Sequence, residues 1–451
     1  MAEEEKAIVG QHIVRYGIAA DQKYLVGEFL DTYDQLVINA SMVAHMTGGL
    51  TIFLTQRAKD KPYFIDPQTH AFQHELEYLQ STSRKNEGEL KRPIKALLQT
   101  YGNPIERVVK GDQSILPDDF RDNGERKEFC GRVIDFQLDA LADRAKNSED
   151  AKYYEFLRQK GILGSSSLSF VVAPYFCMDE LTLKKWLPVN IGCAADSKII
   201  AAEKKIPMAV EIVISSSVLL DRKQIERMVE CYLGVGADVF LIWIDLFDEE
   251  EVSGGLLTAF AGLTQKLKES GNPVVNLYGG YFSVLLMRLG LLSGVTHSMG
   301  YGEGRGVTPV GGGIPVAKYY LPAMHSRLRF RDALRAVRAL GGMNSREDFH
   351  NNVCACKQCT SAILNDPKMD FPMQFGQTKT IRGREYPLPE TRDNNIRHYM
   401  WCKEREYKEK KPVETIIEEL KESGERLSRV LGLENTEHCS TWANALEGLA
   451  E

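Results

Sequence analysis

Three cysteines fall within six residues in Cys354-Ala-Cys356-Lys-Gln-Cys359, close enough for one tight turn to hold three thiolates around a single ion. Soft thiolate donors at this spacing point to zinc. A tetrahedron needs a fourth donor. His398 lies in a helical stretch, Asn394 to Cys402, from which its imidazole can reach back, and Cys402 sits one turn further on the same face as the alternative. Four closed ligands make a structural site with no position left for water chemistry. The remaining cysteines are scattered through the chain, as suits free thiols in a reducing compartment.

A second set of residues could do acid–base or nucleophilic work. Asp66 and Asp245 each end an apolar, β-rich run, and a carboxylate there can act as nucleophile, acid, base or electrostatic partner of a developing positive charge. Turn and helix capping are the bland alternatives for both. Glu211 interrupts another such run, where a carboxylate is costly unless paired or functional. Asn276 and Tyr278 alternate along one strand and are expected to share a face. His70 and His297 are further candidates, the latter as a catalytic acid or base. The glycine-rich loop from Gly300, with Gly304, Arg305 and Gly306, then Gly311-Gly-Gly, lets backbone amides approach an anion, with Arg305 as a charged partner. It lacks the strand-to-helix setting of a dinucleotide fingerprint, which excludes a nicotinamide reading. Arg327 and Arg329 begin an arginine-rich segment that extends this basic surface towards a phosphate backbone.

These residues must be positioned by a sizeable fold. The 451 residues are 43% hydrophobic and 26% charged with a net charge of -6, the balance of a globular protein with no global basic field. The acidic start Met-Ala-Glu-Glu-Glu-Lys is unlike a secretory signal, and no run approaches membrane-spanning length, so a cytoplasmic location with no membrane partner is expected. Alternation of short β-rich runs with longer helical patterns suggests an α/β fold, a (β/α)8 TIM barrel of parallel strands. The eight expected strands are Leu50 to Leu54, Tyr63 to Pro67, Leu168 to Phe176, Pro207 to Ser215, Asp238 to Asp245, Pro273 to Gly280, Gly294 to Gly300 and Lys318 to His325. The division that follows is an N-terminal extension (1–49), a barrel (50–325) with a helical insertion at its mouth (68–167), a zinc-binding subdomain (326–411) and a C-terminal helical tail (412–451).

A Cys-x-Cys-x2-Cys cluster with a downstream His after such a barrel resembles the tRNA-guanine transglycosylase superfamily, zinc-containing enzymes that exchange or remove bases at N-glycosidic bonds. That family ends a strand in Asp-Ser-Gly-Gly-Phe-Gln. Here the run Asp66-Pro-Gln-Thr-His70-Ala-Phe72-Gln73 keeps the Asp, Phe and Gln with two extra residues. The family's Asp-x-Phe-Asp strand and glycine- and arginine-bearing loop correspond to Gly294-Val-Thr-His297-Ser298, then Gly304-Arg305-Gly306, with His297 and Ser298 in place of the nucleophilic Asp. At the mouth of such a barrel, where chemistry collects, Asp66, Asp245 and His297 are the catalytic candidates, and Glu211, Asn276, Tyr278 and His70 the base-recognising ones. Arg305, Gly304, Gly306, Arg327 and Arg329 would hold nucleic acid, and Zn2+ would be bound by Cys354, Cys356, Cys359 and His398. Loss of the family Asp tilts the expectation to a DNA glycosylase that flips out and excises a modified base, in a role such as antiviral defence against phage DNA. The short tail favours DNA over tRNA, and a homodimer is allowed. A queuine- or archaeosine-type transglycosylase and a catalytically inactive nucleic-acid-binding module are the alternatives.

Overall fold

The computed structural model describes residues 8–58, 60–83, 86–141, 156, 159–160, 167–300, 303–309, 316–381 and 383–450. Eight parallel strands form one sheet: β1 (His12–Tyr16), β2 (Gln35–Asn39), β3 (Tyr63–Asp66), β4 (Val171–Val172), β5 (Met208–Ser215), β6 (Val239–Asp245), β7 (Val274–Asn276) and β8 (Gly294–Ser298). Their order is β3-β2-β1-β8-β7-β6-β5-β4. A parallel bridge from Tyr63 to Leu168, with Ser169 N–H donating to Tyr63 O at 2.8 Å, joins the two ends of that order. The sheet is thus a nearly closed barrel surrounded by helices, an α/β fold.

Side chains alternate along each strand, as the pleat demands. Ile13, Val37, Phe64, Val172, Ala209, Val213, Leu241, Trp243 and Val275 fill the interior, while Val14, Leu36, Ile38, Ile65, Val210 and Ile212 join the larger core under the helices. Both faces of every strand are buried, so the strands read as continuous apolar runs rather than alternating ones.

Two expected strands are not strands of the barrel. Leu50 to Leu54 continues a helix, Ala40–Ile52, into a wider turn over Phe53–Arg57. A run this short has no periodicity that separates strand from buried helix. Lys318–Leu321 is indeed a strand, β9, but it pairs antiparallel with β10 (Ser326–Arg329) outside the barrel. The missing strands are β1 and β2, so the segment expected as an extension supplies the first quarter of the barrel. The insertion also differs from expectation. Its helix Asn123–Asp139 packs against Leu183–Glu203, and Gln137 brackets Val172, donating to its O at 2.8 Å and accepting from its N at 2.7 Å. That part of the insertion flanks the barrel and does not stand at its mouth; residues 142–155 lie outside the described ones.

The helix Pro389–Lys408 packs on the helical turns after β1 and on Tyr281–Arg288, the helix between β7 and β8. Tyr407 reaches Val295 O at 3.2 Å. It therefore takes the place of the barrel's eighth flanking helix, and the segment 318–388, with its cysteines, is inserted ahead of it. Within the expected helical tail, the helix Val413–Leu431 pairs with Glu437–Ala450. Among the described residues no helix is long and apolar enough to cross a membrane.

Candidate functional site at the barrel mouth and the cysteine cluster

The C-terminal ends of parallel barrel strands are where this architecture collects chemistry. Arg15, on β1, points inward and is fully buried beneath the mouth. It donates to Asn39 Oδ1 of β2 at 2.5 Å and to Asp66 Oδ2 of β3 at 3.0 Å, and its guanidinium lies 4.4 Å from the centre of the Tyr278 ring. Asp66 Oδ1 accepts from the Tyr175 hydroxyl at 2.6 Å and from Gln68 N at 3.0 Å. His70 Nδ1 lies 3.0 Å from the Tyr175 oxygen. Because the Tyr175 proton is given to Asp66, the His70 N–H must be the donor to Tyr175. The chain of hydrogen bonds runs His70 to Tyr175 to Asp66. Burial lowers His70 to about 3, so it is neutral there.

Glu211, inward on β5, sits beside this knot with 1% exposure. Burial and then the Asp66 charge push its carboxyl well above the ordinary value, with Arg15 opposing in part. Burial would raise Asp66 too, but the Arg15 charge outweighs it and holds the Asp66 carboxyl below its ordinary value. The two neighbouring carboxyl groups are thereby pushed in opposite directions, Asp66 down and Glu211 up. Both Glu211 oxygens, and the Nε and second terminal nitrogen of Arg15, have no hydrogen-bond partner among the described residues. Buried polar atoms are normally satisfied, so four bare ones on neighbouring side chains set this part of the interior apart. The Trp243 and Tyr278 rings pack together there, 4.8 Å between centres.

The rim is built by Asp245 and the loop that follows β8. Asp245 Oδ1 accepts from Val307 N at 2.8 Å, and the Trp243 indole donates to Arg305 O at 3.0 Å. These bonds turn the Arg305 guanidinium over Tyr278, 5.6 Å from its centre. A Cβ at Gly304 would come within 2.8–3.0 Å of the Asp248 side chain and backbone, and one at Gly306 within 3.0 Å of Leu246. The glycines at 304 and 306 thus allow the loop to lie close on the β6 end. Gly311 to Gly313 lie outside the described residues.

Several expected site residues lie elsewhere. His297 faces outward from β8. Its Nε2 lies 2.7 Å from His12 Nε2 and its ring is edge-on to Tyr399, so it is sandwiched between barrel and helix, where burial drives its pKa well down. The inward positions of β8 are Thr296 and Ser298, one residue either side, and a one-residue offset reverses the face. Asn276 and Tyr278 do not share a face, because β7 ends at Asn276 and the chain turns. Asn276 donates to Ser283 Oγ at 2.8 Å, outside the barrel, whereas Tyr278 packs inside. Arg327 stacks 3.5 Å from the Tyr399 ring centre and donates to Ser298 O at 2.7 Å, which commits it to the interior; Arg329 is exposed. Arg15, Asn39 and Tyr175 were not among the expected residues. An arginine within His12-Ile-Val-Arg-Tyr16 was the available signal.

The cysteine cluster is closed and buried. Ligand atoms of Cys354, Cys356, His398 and Cys402 lie within 4.8 Å of one another and could hold a metal ion. Cys359 Sγ is also close, 3.3 Å from His398 Nδ1. His398 Nε2 is 2.6 Å from Tyr320 O, so it carries the proton and leaves Nδ1 free to face the sulfurs, the arrangement metal-bound histidines adopt. Hydrogen bonds from the neighbouring thiols hold the Cys354 thiol well down; Cys356, raised by its bond to Cys354 but lowered by those to Cys359 and Cys402, falls to about 5, while burial pushes Cys359 and Cys402 up. Four sulfurs with one imidazole suit zinc. His398 and Cys402, the two alternatives for the fourth ligand, are both in place, and Cys359 lies beside the same histidine.

No known family model matches the chain, and no curated protein matches its sequence.

Proposed function

We propose that this protein is an enzyme that cleaves the N-glycosidic bond of a base in nucleic acid. One arrangement above all supports this reading: the Asp66 carboxylate, hydrogen-bonded to Arg15 at 3.0 Å and to the Tyr175 hydroxyl at 2.6 Å, lies near the buried Glu211 carboxyl, whose oxygens, like two nitrogens of Arg15, lack partners among the described residues. Breaking a C1′–N bond leaves its electron pair on the base and positive charge on the sugar. Glu211 carries the proton that the departing base nitrogen needs, and the Asp66 carboxylate stabilises the sugar cation. Water then adds its hydroxide to C1′, and its proton returns to Glu211. Trp243 and Tyr278 supply faces on which a flipped base can stack.

The state of Asp66 favours excision over exchange. Oδ2 is bound to Arg15, and Oδ1 to Tyr175 and Gln68 N, so an attack on C1′ would require giving up one of these partners. A fixed charge suits electrostatic stabilisation better than a covalent intermediate. Arg305, over the mouth, and exposed Arg329 would meet phosphates, DNA being the favoured polymer. The cysteine cluster would hold structural zinc, which would fix the segment ahead of the eighth helix and supply no chemistry to the mouth. The test is incubation with DNA carrying modified bases, unmodified DNA and tRNA, followed by mass analysis of released bases. Release that vanishes in both Asp66→Asn and Glu211→Gln supports the proposal, and release unaffected by either contradicts it.

A further inference from the structure

Leu246 follows β6 directly, at the mouth end of the barrel, and its side chain is 73% exposed. Its backbone is held at φ 53°, in the left-handed region. That region brings Cβ too close to a carbonyl oxygen, and glycine or short polar residues are its usual occupants. Among the described residues, the other non-glycine positions with a positive φ are Asp60, Gln68, Asp112, Lys205 and His325, all polar. Leucine at 246 thus combines two unfavourable features, backbone strain and an apolar side chain left in water. Leu181 and Leu433 are as exposed, but neither has a positive φ.

The fold fixes this conformation from both sides. Leu246 N–H donates to Arg305 O at 3.1 Å, and the Trp243 indole donates to the same oxygen at 3.0 Å. One residue back, Asp245 Oδ1 accepts from Val307 N at 2.8 Å; one residue on, Phe247 N donates to Ile244 O at 3.3 Å and its ring is buried. The leucine leans on Gly306, where an added Cβ would stand 3.0 Å from Leu246 Cδ2. It therefore stands out beside Arg305, whose guanidinium lies over Tyr278. The acidic run that follows is largely drawn inward: Glu249 is buried, and burial raises Asp248 and pushes Glu250 up to about 8, leaving Glu251 exposed. A strained position persists only where its surroundings over-determine it, and such positions gather at functional sites.

We propose that Leu246 is a wedge that enters a DNA duplex at the mouth and fills the gap left in the base stack when a base is turned out of it. The inference rests on the reading of the mouth as a base-excising site. Turning a base out costs stacking and pairing, and an apolar side chain in the vacated space offsets part of that cost and shuts out water. Insertion also removes the leucine itself from water. A tip pinned by three hydrogen bonds loses little freedom on insertion. Arg305, beside it, meets the phosphate that flanks the gap.

The test is fluorescence anisotropy with two labelled DNA duplexes of one sequence, one intact and one with a tetrahydrofuran abasic site at its centre, which offers the gap ready-made. The parent should bind the abasic duplex about tenfold more tightly, the scale expected for burying one leucine. Leu246→Asn, whose side chain takes the left-handed region more readily, should keep or raise Tm and bring the preference within about twofold. Leu246→Gly should do the same, whereas Leu246→Met, which keeps an apolar tip, should retain most of the preference. Leu289→Ala, at a half-exposed leucine ahead of β8 on the opposite end of the barrel, should leave it unchanged. No preference in the parent, a preference that survives Leu246→Asn and Leu246→Gly, or self-association that Leu246→Asn abolishes with the DNA preference intact would overturn the proposal. The readout needs no base release, so the expected preference in a chain that releases no base supports the wedge and refutes the chemistry proposed above. Base release at the parent's rate by Leu246→Asn refutes the wedge and leaves that chemistry standing.

Discussion

Replacing Arg15 by Met removes the counter-charge of Asp66 while keeping most of the side-chain volume. The pair is 3.0 Å apart with side chains 3% and 1% exposed, so water cannot take over the lost interaction. Breaking a buried pair on one side typically costs about 3–5 kcal/mol. Asp66 keeps the Tyr175 hydroxyl and Gln68 N as donors, which places the expected loss near the lower end, about 3 kcal/mol. The sign of its pH dependence follows from linkage. In the parent protein the folded pKa of Asp66 lies below the unfolded value, so its contribution is complete above the unfolded pKa and is lost as the pH falls through the folded one. In Arg15→Met burial wins, the folded pKa rises above the unfolded value, and the buried charge becomes a penalty that fades on acidification. Urea denaturation at pH 8 and pH 5 should therefore show a gap between parent and variant that narrows at the lower pH. Arg15→Met/Asp66→Asn should recover about 1 kcal/mol or more relative to the single variant, since the bare charge is gone. A gap below about 1 kcal/mol, or one independent of pH, would refute this account of the knot.

Three further outcomes are expected. Purified protein should carry about one zinc per chain, and Cys356→Ser should lose both metal and C-terminal stability, read by metal analysis and hydrogen exchange across 346–408; Cys359→Ser and Cys402→Ser, compared side by side, show which sulfur is spare. Glu249 and Glu250, raised mainly by burial to about 7 and about 8, hold protons in the folded state that the unfolded chain releases above about 4.5. Thermal stability should accordingly fall as the pH rises towards 8, and Glu250→Gln should flatten that fall, with Glu303, Asp248 and Lys318 as the neighbouring charges. Arg305→Ala should weaken nucleic-acid binding and reduce its logarithmic salt slope by about one unit, measured by fluorescence anisotropy.

What the sequence disclosed follows from how local each signal is. Cys354, Cys356 and Cys359 were legible because a tight turn keeps them adjacent in both sequence and space, whereas the rivalry of His398 and Cys402 was resolved by neither spacing nor fold, since both converge. Six of the barrel's strands stand between recognisable helical patterns. The five-residue strands β1 and β2 did not show, because burial on both faces erases alternation, and Arg15 and Asn39 were hidden with them. Asp66 and Glu211 were readable as carboxylates in apolar runs, but their partnership depends on β3 and β5 facing one interior, which is long-range information. His297 and Asn276 were misplaced by the facing of short strands, where one residue decides between interior and flank.

The proposed chemistry makes Asp66 and Glu211 the charge and the acid acting on one glycosidic bond. The most direct measurement is the single-turnover rate of base release, followed by mass spectrometry on nucleic acid, for the parent, Asp66→Asn and Glu211→Gln. Both variants should fold, bind substrate and lose about 100-fold or more in rate, equivalent to roughly 2.7 kcal/mol of barrier. Glu211→Gln should retain more activity on bases that leave easily without a proton. Full-rate release by either variant, with the parent active, would contradict it.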